Sequence, residues 1–206
     1  MNEVILRGVI RDISPSHVIN NVEYDQANII TTRHDGKEDI LSLKFKKFSN
    51  IYKDGDRVDL IGNIRSYSQK LNENKNKVSL YVFTYFDLPS TDNENFEDIT
   101  NHVRLDGRIC KVDELRITKN GKANFHFVVA NNIISSDGTQ KLNNYIPCVA
   151  WGKLAYALKD IAVSTKVIID GELHSRTYKK VLENNDIEIK TAHELVVKDL
   201  EIIFNE

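Results

Sequence analysis

Apolar and polar residues alternate along most of this chain with a period of two, the spacing of strands that have two different faces. The clearest run is Tyr145 to Trp151, where Tyr145, Pro147, Val149 and Trp151 share one face and Ile146, Cys148 and Ala150 the other. The second set is small and apolar, as a core requires. The first spaces a tyrosine and the chain's single tryptophan along the strand, and Pro147 argues for a place away from a fully paired sheet centre. Gly152 ends the strand, and Lys153 to Leu158 begins a short helical run. Aromatics on the open face of a small barrel can stack with bases and so hold single strands without reading sequence. The same two residues would also suit a core or a subunit interface.

The pattern repeats. Asn2 to Gly8 and Asn101 to Gly107 both read N-x-V-x-L-x-G, and Val58 to Ser66 matches Val167 to Ser175 with apolar positions, Gly and Ser in register. Two matches in the same order imply duplication, and copies of about a hundred residues are domains, not solenoid repeats. In the first copy, strands are expected at about 2–13, 22–33, 39–47, 57–68 and 77–88. Turns fall at Ser14-Pro15-Ser16, His34-Asp35-Gly36, Lys53 to Asp56 and Leu71 to Asn76, and Phe48 to Asp56 leaves room for little more than one helical turn. In the second, strands are expected near 101–113, 122–133, 143–151, 165–178 and 186–204, the last with a break. Lys119-Asn120-Gly121-Lys122 reads as a hairpin turn, Ile133 to Leu142 as a longer loop and Lys153 to about Asp160 as a helix. The expected class is all-β: two five-stranded OB-fold (Greek-key) barrels in tandem, with a short helix before the fourth strand. Residues 1–88 and 101–206 would be the two domains, and the polar, acidic run 89–100 a linker.

Composition adds limits. Hydrophobic residues make up 41% of the 206 positions and charged residues 28%, as in an ordinary soluble globular protein. No apolar run approaches the roughly 20 residues of a membrane span, and a charge interrupts the first apolar run as no signal peptide would allow. Cys110 and Cys148 lack C-x-x-C spacing and read as reduced thiols, so a cytoplasmic location is expected. The net charge of −2 does not advertise a nucleic-acid partner; any such surface would be a local concentration of base.

Chemistry finds little support. The six histidines are scattered without metal-ligand spacing, so no metal site is expected. The carboxylates from Asp35 to Asp39 lack the paired-carboxylate pattern of a nuclease, the nine glycines sit at bends and turns and form no phosphate loop, and no nucleophile has a recognisable setting. The chain reads as a non-enzyme without a cofactor.

With these residues placed, the second copy resembles the bacterial single-stranded DNA-binding protein family, SSB. The resemblance rests on N-x-V-x-L-x-G at Asn101, the turn from Leu115-Arg116 to Asn120-Gly121, Ala123-Asn124-Phe125, Tyr145 to Ala155 with its W-G-K-L-A ending, and Val167 to Gly171 running on to Ser175-Arg176-Thr177-Tyr178. The first copy matches more weakly, through its start and Gly62 to Tyr67, and the whole chain looks like the tandem-OB relatives of low-GC Gram-positive bacteria. The resemblance implies single-stranded DNA as partner, held by stacking and phosphate contacts in replication, recombination or repair, and an assembly of four barrels. Tyr145, Trp151 and Tyr178 fall where family members place stacking aromatics, with Lys153 and Arg176 at basic positions beside them.

Alternation independently puts His174, Arg176 and Tyr178 on one face, and Asn124 and His126 together opposite Phe125 and Phe127. Lys119 and Lys122 add local base. In the first copy Lys44, Lys46, Arg65 and Tyr67 face outward and form either a second footprint or a solvated strand face. Two departures stand out. Ile133 or Ile134 occupies a position where many members carry another stacking Trp, and the last residues, Leu200 to Glu206, read as a strand where members continue into a long tail with an acidic tip that recruits partners. The segments Val4 to Ile10 and Val103 to Ile109 are edge-capable, so a homodimer with a two-fold axis is expected, presenting its Tyr145–Trp151 faces outward. The alternative is a monomer whose barrels pack on each other. Replication or recombination proteins would be further partners. A competing function is an assembly adaptor like the primosomal replication protein N relatives, with the aromatics buried between subunits.

Overall fold

A computed structural model describes residues 1–47, 52–72, 75–88, 101–134, 141–181 and 186–204. Among these described residues, eleven strands and one short helix follow in order: β1 (Asn2–Ile19), β2 (Val22–Thr32), β3 (Glu38–Lys46), β4 (Arg57–Asn72), β5 (Lys75–Leu88), β6 (Asn101–Val112), β7 (Arg116–Ile117), β8 (Ala123–Ile134), β9 (Lys141–Trp151), α1 (Lys153–Leu158), β10 (Lys166–Val181) and β11 (Ile187–Ile203). No helix among the described residues is long and apolar enough to cross a membrane.

Pairing closes two circuits of the same connectivity. In the first, β1 pairs β2, β2 pairs β3, β3 pairs β5, β5 pairs β4 and β4 returns to β1; only β3–β5 is parallel. In the second the order is β6, β8, β9, β11, β10 and back to β6, with β9–β11 the parallel rung, while β7 extends β8. Period-two alternation turns Leu6, Ile29, Leu41, Leu43 and Val82 into one circuit and Leu105, Phe125, Ile146, Ile169 and Leu195 into the other, all buried. The repeated glycines have a steric cause. A Cβ at Gly8 would collide with the Ile30 carbonyl oxygen, and one at Gly107 with Val129 and the Ala130 carbonyl, because the first strand of each circuit curls tightly across the second.

The circuits are joined along their first strands. β1 pairs β6 antiparallel from Asn2–Leu105 to Leu6–Asn101, centred on Val4 opposite Val103. This is the arrangement a two-fold axis would produce, here within one chain. Where the β1–β4 ladder ends at Val4–Gly62, the Asn2 side chain continues it, donating to the Ile64 carbonyl at 2.8 Å and accepting from the Ile64 N–H at 2.8 Å. Asn101 does the same with Leu173, at 2.6 and 2.9 Å. The repeated serines form a second matched pair of joints. Ser66 N–H donates to Asn144 Oδ1 at 2.9 Å while Tyr145 N–H donates to Ser66 Oγ at 2.8 Å. Across the axis, Ser175 N–H donates to Asp39 Oδ1 and Ile40 N–H to Ser175 Oγ at 2.9 Å. The repeat's Asn thus lengthens a ladder within its own circuit, and the repeat's Ser reaches across the joint to the other.

Several expectations need correction. Ser14-Pro15-Ser16 is no turn: β1 runs on to Ile19 through register shifts that accommodate Pro15, and Asn20 and Asn21 make the hairpin with φ of 49° and 63°. β11 is unbroken apart from a register shift opposite Asp170–Gly171. The helix ends at Leu158, and the two-residue β7 was not expected. The first strands are not free edges, since each covers the other, so that argument for a homodimer falls. The linker at 89–100, the tip of the Ile133–Leu142 loop at 135–140, 73–74 in the Leu71–Asn76 turn and 48–51 in the Phe48–Asp56 connection lie outside the described residues.

Candidate nucleic-acid interface

Both circuits carry an outward face built on the same short parallel ladder. In the first it consists of Leu43–Val82 and Lys44–Phe83, in the second of Cys148–Leu195 and Val149–Val196. Beyond those two rungs the strands part, and the residues pointing out beside the gap form the candidate surface.

In the second circuit the sequence-derived residues fall into two groups on either side of the rung Val149–Val196–Glu172. On one side the half-buried Trp151 has the Lys122 ammonium 5.1 Å from its ring centroid, and Lys119 and Lys153 are exposed. On the other side the exposed Tyr145 backs onto Ser66, and the Arg176 guanidinium lies 5.9 Å from the Tyr178 ring. Turn chemistry places Lys122: Gly121 takes φ +75°, and the Lys122 N–H donates to Thr118 Oγ1 at 3.0 Å. Burial and pairing differ along this face. Val149, flanked by His126 and Val196 in the ladder, is buried. Asn124 is buried as well, with an Oδ1 that has no hydrogen-bond partner, so it is not offered to a strand. His174 is committed to Glu172, Nε2 to Oε2 at 2.9 Å, and Lys198 binds the other Glu172 oxygen at 3.0 Å. His126 is half-buried. Ile134 is exposed and Ile133 half-buried.

In the first circuit the structure brings Lys44 and Arg65 together with aromatics that the sequence reading missed. The Lys44 ammonium sits 4.8 Å from the Tyr81 ring centroid, and the Arg65 guanidinium 3.8 Å from that of Phe83. Tyr24 lies 6.1 Å from Phe83 and stacks on His17 at 4.8 Å and 3°. Tyr67 and Lys46 are exposed. Burial lowers the Arg65 pKa from its ordinary value, with Tyr81 offsetting part of the shift, and its Nε has no hydrogen-bond partner. The missing signal was present: Tyr81 and Phe83 alternate with the buried Leu80 and Val82.

Among the described residues, no group of three or more His, Cys, Asp or Glu could hold a metal ion. Burial pushes the Cys148 thiol up, as for an inert core cysteine.

The profile of the single-strand binding protein family matches residues 100–203, the whole second circuit. The chain belongs to this family. Among solved structures, the wild-type single-stranded DNA binding protein from Thermus aquaticus aligns over 100% of this chain and 94% of its own, with a TM-score of 0.73 and 14% identity. A deletion mutant of that protein gives 0.72 and 15%, covering 100% of this chain and 96% of its own. At such identity the likeness shows the fold alone: the sheet-dominated SSB-like arrangement extends over the first circuit too. PriB from Ralstonia solanacearum aligns over 50% of this chain and 97% of its own at 16% identity, with a TM-score of 0.38 that carries no argument. No curated protein matches the chain.

Proposed function

We propose that this SSB-family chain binds single-stranded DNA without reading its sequence, through two OB-fold barrels, residues 1–88 and 101–206, in tandem. The observation that carries the reading is the pairing of base with aromatic on both outward faces: Lys44 with Tyr81, Arg65 with Phe83, Lys122 with Trp151 and Arg176 with Tyr178. A ring supplies a sequence-tolerant stacking surface, and a cation beside it meets the phosphates on either side of the stacked base. Membership of the family supports the same reading. Such a protein serves replication, recombination or repair in the cytoplasm and has no catalytic role. A four-barrel assembly would form from two chains through a surface other than β1 and β6, which already cover each other.

The test uses the chain's one tryptophan. Titration with oligothymidylate of roughly 30 nucleotides, enough for two barrels at up to about 16 each, should quench Trp151. Emission that stays constant to saturating strand at low salt would remove stacking from the account and leave the adaptor reading.

A further inference from the structure

We infer that the amino-terminal barrel carries the stronger of the two single-strand platforms, built around a cleft between its two hairpins. This rests on the single-strand reading above and goes beyond it, because the family match covers only residues 100–203 and leaves this face unassigned.

Equivalent rungs of the two barrels carry different side chains. Superposing the two parallel ladders sets Lys44–Phe83 of the first barrel against Val149–Val196 of the second. On the adjoining antiparallel ladder, Arg65–Tyr81 stands where the second barrel has His174–Glu194. On the other side, Tyr24–Lys46 stands where it has Asn124–Trp151. Three rungs of the first barrel therefore offer six aromatic or basic side chains. The same three rungs of the second offer one large aromatic, a histidine, two valines, a buried amide and an acid.

Charge widens the difference. Glu172 lies beside His174 on the second face. Burial alone would raise its pKa, but His174 and Lys198 hold it below the usual carboxylate range, so it is ionised at neutral pH. With Glu194 across the ladder from His174, that face opposes phosphate at its centre. In the first barrel, Lys44 lies over the Tyr81 ring and Arg65 over the Phe83 ring.

Shape agrees. Because β3 and β5 share only two rungs, the hairpins separate and leave a cleft of about 400 Å³. Gln26 and Asn28 form one wall, Ser42 and Lys44 the floor, and Tyr67 and Tyr81 the other wall. That volume falls in the range of roughly 300–1,000 Å³ typical of small-ligand sites, enough to take an unstacked base. Tyr67, 59% exposed, stands free to stack on it. The one carboxylate lining the cleft, Asp12, already accepts from Asn28 Nδ2 at 2.9 Å.

The test uses the full chain and a fluorescein-labelled oligothymidylate of about 8 nucleotides, short enough for one barrel. Anisotropy is read together with Trp151 emission. The cleft predicts that the label saturates while Trp151 emission hardly changes, since the short strand settles on the first barrel. Lys44→Ala with Tyr67→Ala should weaken binding about thirtyfold or more, and Trp151→Ala with Arg176→Ala by no more than about threefold. Trp151 quenching that tracks anisotropy from the first addition would overturn the inference. So would a larger loss in the second pair, with both pairs melting like the parent. A parent chain that binds neither the short strand nor the 30-mer would bring down the single-strand reading itself, a different result from a short strand seated on the wrong barrel.

Discussion

Replacing Asp39 with alanine should loosen the joint between the barrels. The Asp39 side chain is fully buried and accepts from Arg33 Nε at 2.6 Å, from Arg33 Nη2, and from the Ser175 N–H and, at 3.1 Å, the Ser175 hydroxyl. Truncation strands the guanidinium and the Ser175 N–H together. Breaking a buried pair costs about 3–5 kcal/mol. The Arg33 side chain is 24% exposed and keeps some water, which argues for about 3 kcal/mol. In a chain of this size that is a fall of about 6–12 °C in Tm. The protein supplies its own control, because across the axis Asn144 presents a neutral oxygen to Ser66 in the same geometry. Asp39→Asn should therefore keep the Ser175 contact and lose only about half as much. Removing Arg33 along with Asp39 should restore part of the loss. Circular dichroism melts of the four proteins decide it. An alanine variant within about 0.5 kcal/mol of the parent, or an asparagine variant as damaged as the alanine one, would refute the clamp.

Three further outcomes follow from the same geometry. His193 reaches the Ile40 carbonyl at 2.8 Å, and burial holds its pKa below the ordinary imidazole value despite that bond and the Asp39 charge. Its share of stability is present above the unfolded value of about 6.5 and is lost as pH falls through the lower folded value. Urea midpoints should fall more steeply between about pH 7.5 and 5.5 in the parent than in His193→Gln, and parallel curves would contradict this. Gly8→Ala drives a Cβ into the Ile30 carbonyl and should cost about 1–3 kcal/mol or more in a denaturant melt, whereas an unchanged midpoint would show that the strand crossing yields. Light scattering at micromolar concentration should give twice the 23.6 kDa chain mass if two chains complete four barrels, and the single-chain mass would leave the two-barrel chain as the working unit.

The repeat was the most legible part of the chain, because its Gly, Asn and Ser each do a local job that fixes the residue type. Gly8 and Gly107 mark close strand crossings, Asn2 and Asn101 extend a ladder, and Ser66 and Ser175 bind the opposite barrel. Alternation found nearly every strand. It misplaced the first turn because Pro15, absorbed by a bulge, looks locally like a break. It could not show that β1 pairs with β6 in the same chain, since an edge-capable strand reads alike whichever partner covers it. The site was legible to a similar depth. Outward parity found Lys44, Arg65 and Tyr67, but which β5 residues they meet depends on the parallel Leu43–Val82 register, which no local pattern encodes. For the same reason Glu172 and Glu194 beside His174 went unseen, although Glu172 shares its face by parity.

Under the proposed function, a chain of slightly negative net charge holds single strands through local clusters of base and ring. The most direct test is anisotropy of a labelled 30-mer oligothymidylate at two salt concentrations, with a duplex of equal length beside it. The single strand should bind far more tightly than the duplex, and its log affinity should fall with log salt at a slope of about −0.7 for each phosphate contacted. Equal affinity for the duplex, or binding indifferent to salt, would contradict the account.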